Sequence, residues 1–360
     1  MILYKQGSAL IDGKIVITDI VANHGRIIAI DKEIVPDKDT EVIDCQGKFI
    51  LPALVDIHTH GANGYDFNTA DIDGMKKIME FYISRGVGTV LPTVMTDSDE
   101  VICRQAGLIA ELAKEYPEIK GINLEGPFLS EAFSGAHPKQ FLQKPSFEKF
   151  LTYQKAAQGL IKLVTIAPEL PRAIEFIEEA VAARVKVSLG HSGADYATVQ
   201  RALKAGAVGF THFGNGMSQM DRLNLNMVGS ALNSRAYAEV ICDGKHIDKD
   251  VLKFLIKTKG IDKVIGITDS IMATGLADGE YKLGVTDVVV QNGDAYVKGT
   301  TKRAGSVLDA HTGLANVVSF TGLKLPEAIK LWTVNPAKML GLDGRIGTIE
   351  VGKDADFIII

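Results

Sequence analysis

Cysteine is scarce in this 360-residue chain: only Cys45, Cys103 and Cys242 occur, far apart and in no CxxC pair. That spacing excludes a disulfide framework or a zinc ribbon and suits a reducing compartment, so all three read as structural and the expected location is the cytoplasm. Long hydrophobic runs are missing as well. No stretch is apolar for long enough to cross a bilayer as a helix, and the opening Met1-Ile-Leu-Tyr-Lys-Gln-Gly7 lacks the basic segment and unbroken apolar core of a secretion signal. Nor is there an excess of positive charge: 39 Lys and Arg against 44 Asp and Glu leave a formal net charge of −5. Without a basic field to attract phosphate backbones, a nucleic-acid partner is not expected, and a small molecule is. Internal repeats, low-complexity tracts and extended linkers are absent.

What the chain does have is apolar material in a regular alternation. With 46% hydrophobic residues, it can bury a large core, enough for one barrel and a small appendage. Residues 1–50 hold short β-type runs separated by Asp-Gly, His-Gly and Gln-Gly turn signals, and the last stretch, 343–360, returns to β-type residues. These two ends are expected to form one small β-sandwich domain. Residues 51–342 alternate strand-like and helix-like segments. Strand candidates fall at 49–60, 89–96, 121–128, 163–169, 186–192, 209–215, 238–246 and 264–270, the eight that a closed parallel (β/α)8, TIM-like α/β barrel needs. Helical segments such as 73–86, 98–116, 172–185 and 196–206 supply the crossovers. A β-hairpin insertion is predicted over 281–300 around Gln291-Asn-Gly293, followed by helices from about 306 to 332.

Six metal-ligating or proton-transferring residues lie at or near the ends of these strands, where a barrel keeps its active site. His58 and His60, two apart on a strand, project to the same side. Glu125 closes the run Gly121-Ile-Asn-Leu, His191 follows Val187-Ser-Leu-Gly, His212 sits in Gly209-Phe-Thr-His-Phe, and Asp269 ends Val264-Ile-Gly-Ile-Thr. Any one histidine alone is more often structural, and Glu125 and Asp269 alone could be helix caps. Their common position at strand ends points to a catalytic divalent ion. Zinc is the first expectation, and iron, manganese or cobalt also suit a mixed nitrogen and oxygen set of one or two ions. Such an ion acidifies a water and polarises a carbonyl, and Asp269 is the expected acid/base. His24 and His311 read as structural or surface residues.

The run Leu51-Pro-Ala-Leu-Val-Asp56-Ile-His58-Thr-His60-Gly61 resembles the signature of the amidohydrolase superfamily. Leu124-Glu-Gly-Pro-Phe128, Gly135-Ala-His137, Ala167-Pro-Glu169, Gly190-His-Ser192, Thr211-His212, Asp243-Gly-Lys-His246, Thr268-Asp269 and Ala304-Gly-Ser306 follow the order of N-acetylglucosamine-6-phosphate deacetylases. The resemblance implies removal of the N-acetyl group from an amino-sugar phosphate. It makes Glu125, His191 and His212 the principal metal ligands, His58 and His60 the ligands of a second metal, and Asp269 the acid/base. It further implies substrate contacts from Ala136, His137, Asn215, Gly216, Arg222, His246, Ala304 and Gly305, and a homodimer in which one subunit lends a phosphate contact to the other. The sequence departs from the family at Asn215-Gly216-Met217, at Arg222-Leu-Asn-Leu225 and at Arg303, so N-acetylgalactosamine 6-phosphate or another acylated amino sugar is an alternative substrate. Relatives usually continue for a strand or two past Phe357-Ile-Ile-Ile360. A cyclic amide, an N-acyl amino acid or a nucleobase is a more distant alternative, and the absence of a bridging lysine from Thr165-Ile-Ala-Pro-Glu169 weighs against the lysine-bridged relatives of that kind. A non-catalytic metal-binding scaffold would have no use for Asp269 beside a complete ligand set.

Overall fold

Turn chemistry builds the smaller unit first. The computed structural model describes residues 1–360. Strands Ile2–Ile11 and Lys14–Asn23 pair antiparallel across Asp12-Gly13, whose φ values of 48° and 73° suit a two-residue hairpin, and Arg26–Asp31 follows through His24-Gly25 in the same way. Register breaks between Tyr4 and Gly7, so the two halves of the first strand pair separately with Glu41–Asp44 and Phe49–Pro52. Phe357–Ile359 joins antiparallel to Phe49–Pro52 and completes six strands around Ala9, Ile20, Ile27, Cys45, Ile50 and Ile349.

The predicted strand over 49–60 is two strands. Pro52 cannot donate to a further ladder bond, and at Ala53 the chain leaves the small sheet for the barrel, which begins at Leu54–Thr59. Seven further parallel strands follow in sequence order: Val87–Met95, Ile122–Glu125, Ile161–Ile166, Lys186–Leu189, Gly209–Phe210, Tyr237–Ile241 and Val264–Ile267. The eighth returns to the first through hydrogen bonds from Asp269 N to His58 O (2.9 Å) and from His60 N to Ser270 O (2.8 Å). Thr268 Oγ1 reinforces that seam by donating to Asp56 Oδ2 at 2.6 Å.

Helices Ile72–Ser84, Asp99–Leu112, Ala173–Ala182 and Tyr196–Lys204 lie between strands as predicted. Asp71, Ser98 and Asp195 cap three of them by accepting an N–H of the first turn. The insertion after the eighth strand is a three-stranded meander, Gly279–Leu283, Thr286–Gln291 and Asp294–Val297, rather than a single hairpin. Asn292-Gly293 makes the predicted turn, and the extra one forms at Gly284, with φ of 55°, where the sequence carries a weaker signal. Helices Ala310–Thr321 and Val334–Leu340 lie beyond it. No helix is long and apolar enough to cross a membrane.

Candidate metal centre and active site

Each strand end turns abruptly, and the turn aims the side chain. His191, His212 and Asp269 all have positive φ (48°, 31° and 49°), a costly conformation for residues with a Cβ that concentrates at functional sites. Close side-chain packing beside the site requires glycine: a Cβ at Gly126, next to Glu125, would collide with Thr96 Oγ1, and one at Gly190, next to His191, would lie 2.8 Å from Thr211 Cβ.

Glu125 is the hub of the resulting cluster. Its Oε1 lies 3.1 Å from His191 Nε2 and 2.9 Å from His212 Nε2. Its Oε2 lies 3.3 Å from both His60 Nε2 and His137 Nε2, and 3.5 Å from His58 Nε2. Asp269 Oδ1 faces His60 Nε2 at 3.1 Å and His58 Nε2 at 3.6 Å. Every member of this cluster is buried.

The donor chemistry fits a divalent ion. His191 Nδ1 donates to Phe133 O (2.8 Å) and His212 Nδ1 to Asn215 O (3.2 Å), since a carbonyl oxygen can only accept. Both Nε2 lone pairs then face Glu125 Oε1 and, across 3.0 Å, each other. Three converging lone-pair donors repel unless a cation lies between them. A second group, His58, His60 and Glu125, brings one ligand atom from each residue within 4.8 Å of the others.

Electrostatics point the same way. Burial pushes His60 down, but Asp269 and Glu125 outweigh it and lift the imidazole to about 9; His58 is likewise held above its ordinary value, against its own burial, chiefly by Glu125. Burial would raise Asp269, yet His60, His58 and His212 hold it at about 2, and Glu125 is depressed below the usual carboxylate range despite its burial, first by His58 and His137. The pocket therefore favours positive charge and keeps Asp269 an anion at neutral pH. His137 differs: burial, only partly opposed by Glu125, lowers it to about 4, so it is a neutral imidazole with Nδ1 2.9 Å from Thr96 Oγ1.

A cavity of about 270 Å3 opens over this cluster. Ala136, His137, Asn215, Gly216, His246 and Gly305 line it, with His246 Nδ1 fixed on Asp243 Oδ2 at 2.7 Å. Arg222 does not line it: it lies on an exposed turn. Ala304 is buried beneath the meander beside Gly305 and offers the cavity no side chain. Lys302 and Arg303 line the mouth instead. Arg303 is held in a two-point pair with Asp294 (Nε to Oδ1 3.0 Å, Nη2 to Oδ2 2.9 Å), with its guanidinium 5.7 Å from the Tyr296 ring centre. The sequence signal for Arg303 was its unusual charge just ahead of Ala304-Gly305; Lys302 gave none.

Gly305 packs directly against the Asp269 backbone. With φ of 58°, it would bring a Cβ to 2.8 Å from Asp269 O and 2.5 Å from Ile271 Cγ2. Gly305→Ala should therefore displace Asp269 and lower kcat by about tenfold to a hundredfold while ion content stays unchanged, a pair of quantities that steady-state kinetics and metal analysis measure.

Residues 49–360 match the sequence profile of the amidohydrolase family. The chain is 33% identical to N-acetylglucosamine-6-phosphate deacetylase of Bacillus subtilis over 352 residues, 94% of this chain and 87% of that protein. It is 31% identical to the human protein of the same name over 97% of this chain and 88% of that one. Among solved structures, a mutant N-acetyl-D-glucosamine-6-phosphate deacetylase from Mycobacterium smegmatis, in complex with N-acetyl-D-glucosamine-6-phosphate, superposes with a TM-score of 0.92 at 28% identity, covering 100% of this chain and 94% of that one.

Proposed function

The chain belongs to the amidohydrolase family, and from that premise we propose that it hydrolyses the N-acetyl amide of N-acetylglucosamine 6-phosphate to acetate and glucosamine 6-phosphate. The observation that carries the reading is the convergence of Glu125, His191 and His212, with Asp269 alongside, on one cavity at the mouth of the barrel. Glu125, His191 and His212 would hold one divalent ion, and His58 and His60, with Glu125 between the two groups, would hold a second. Zinc suits these donors best, with iron, manganese or cobalt as the other choices. A bound ion supplies the charge that acidifies a water and polarises the amide carbonyl.

The remaining work falls to the chain's own residues. Asp269, an anion at neutral pH, takes a proton from the attacking water and delivers it to the amide nitrogen. The C–N bond breaks, the water oxygen leaves in acetate, and the water protons end on the amine, which departs as an ammonium. Neutral His137 is suited to hydrogen-bond the acetyl oxygen or a sugar hydroxyl. His246, oriented by Asp243, and the Asn215-Gly216 backbone address the sugar and its phosphate. Arg222, exposed outside its own cavity beside an exposed Leu223, suits a homodimer in which it serves a neighbouring copy. Three free cysteines accord with a cytoplasmic location.

A second reading, deacetylation of N-acetylgalactosamine 6-phosphate or a related sugar, is favoured by Arg303 at the cavity mouth, where an aliphatic residue is common in the family. Acetate release from both phosphorylated epimers and both free sugars tests the two. The glucosamine derivative should turn over fastest, and loss of its phosphate should lower kcat/KM by about a hundredfold or more, because two charge-assisted hydrogen bonds are worth about 1.5–3 kcal/mol each. Release from the galactosamine derivative alone would transfer the assignment to the second reading, and no release from any of the four sugars would end the amino-sugar reading.

A further inference from the structure

Glu239 sits in the middle of the seventh barrel strand, Tyr237–Ile241, where its neighbours are alanine, valine and isoleucine. Its side chain is completely buried inside the barrel, beneath the cluster rather than in the cavity. Ser188 Oγ donates to Oε1 at 3.2 Å, and Oε2 has no hydrogen-bond partner. That oxygen is aimed at His58 Nδ1, 3.5 Å away, and His58 Nδ1 and Nε2 also lack partners.

A buried carboxylate with one hydroxyl for company is costly, so local stability does not explain this residue. A hydroxyl chain holds it in place: Thr165 Oγ1 and Thr211 Oγ1 are 2.9 Å apart, and Thr211 Oγ1 donates to Ser188 Oγ at 2.8 Å. Ser188 and Thr211 come from the strand and strand end that lead to His191 and His212, and Thr165 from the neighbouring fourth barrel strand, Ile161–Ile166. The barrel interior thus spends three hydroxyl side chains on orienting one carboxylate toward the Nδ1 edge of one imidazole.

We infer that Glu239 is a positioning residue: it accepts the Nδ1–H of His58 and so presents the Nε2 lone pair to the ion site shared with His60 and Glu125. His191 and His212 have backbone carbonyls for this purpose, whereas His58 has no such carbonyl. A carboxylate behind a ligating histidine fixes its tautomer and raises its basicity, and losing such a partner costs about 10–100-fold in metal affinity. Glu239 therefore governs occupancy of the His58–His60 side while leaving the His191–His212 side alone. This rests on the two-ion reading of the site and not on the identity of the sugar.

The test is ion binding by the whole protein. Wild type and Glu239→Gln are stripped, titrated with Zn2+ and analysed for ions retained per chain, with the Co2+ absorption spectrum of each recorded in parallel. Wild type should fill both sides. The variant should fill the His191–His212 side normally and bind the other about 10–100-fold more weakly. A merely structural role would lower the melting temperature without that selective loss. Unchanged affinity at both sides, or a wild type that fills only one, overturns the inference. Should the variant fail to fold, 15N spectra of zinc-loaded wild type decide: a His58 protonated at Nδ1 supports the inference and one protonated at Nε2 overturns it. Neither readout involves a sugar, so failure of the deacetylase reading would leave these results untouched.

Discussion

Replacing Asp269 by Asn is expected to lower kcat by about a thousandfold while KM and ion content stay near wild type. The amide is isosteric but cannot accept a proton, so the step that moves a proton from water to the amine loses its carrier. Folding should survive, because the contacts that Asp269 makes at the barrel seam come from its backbone: N donates to His58 O, and O accepts from Ser306 N at 2.7 Å. Its carboxylate does face His60 Nε2 at 3.1 Å, so metal analysis must accompany the kinetics. Wild-type turnover in the variant would remove Asp269 from the mechanism. A loss of ions in step with activity would make it an ion-holding residue instead.

Glu125→Gln should have the larger effect. Glu125 Oε1 serves His191 and His212, and Oε2 serves His58, His60 and His137, so an amide sets an N–H donor against the imidazoles on one side or the other. The central negative charge goes with it. Ion content should fall on both sides, and activity should drop by more than the roughly 10⁴-fold upper range for a lost proton transfer, since every later step depends on the ion. Chelator-treated wild type gives the matching control: it should lose activity and recover it on adding Zn2+, whereas the variant should not recover. A variant that retained its full ion content and turnover would show that the carboxylate is dispensable and dismantle the proposed centre.

The strand-end residues were legible because an apolar run that stops at His, Glu or Asp advertises both the strand and its terminus. Glu239 left a fainter mark, a single charge inside Ala-Glu-Val-Ile, and its significance appears only when the first and seventh strands face each other across the barrel. In the sequence Arg222 reads as a substrate contact and Arg303 only as a departure from the family pattern. Their places differ because Arg303 follows a meander that the Asp294 pair and the bond from Thr286 Oγ1 to Ala136 O (3.0 Å) hold over the site, while the turn bearing Arg222 points to solvent. The break at Ala53 was hidden because apolar residues continue through it, serving two sheets in succession.

Local pattern by itself determined the eight strands, the ends at which chemistry gathers and the residue types available there, since periodicity and turn residues act over a few neighbours. Only the tertiary structure decided which atoms of Glu125 meet which imidazoles, which cations reach the cavity and what stands behind His58. Those choices depend on barrel closure and loop packing between residues as far apart as His58 and Asp269, and no short-range pattern encodes such contacts.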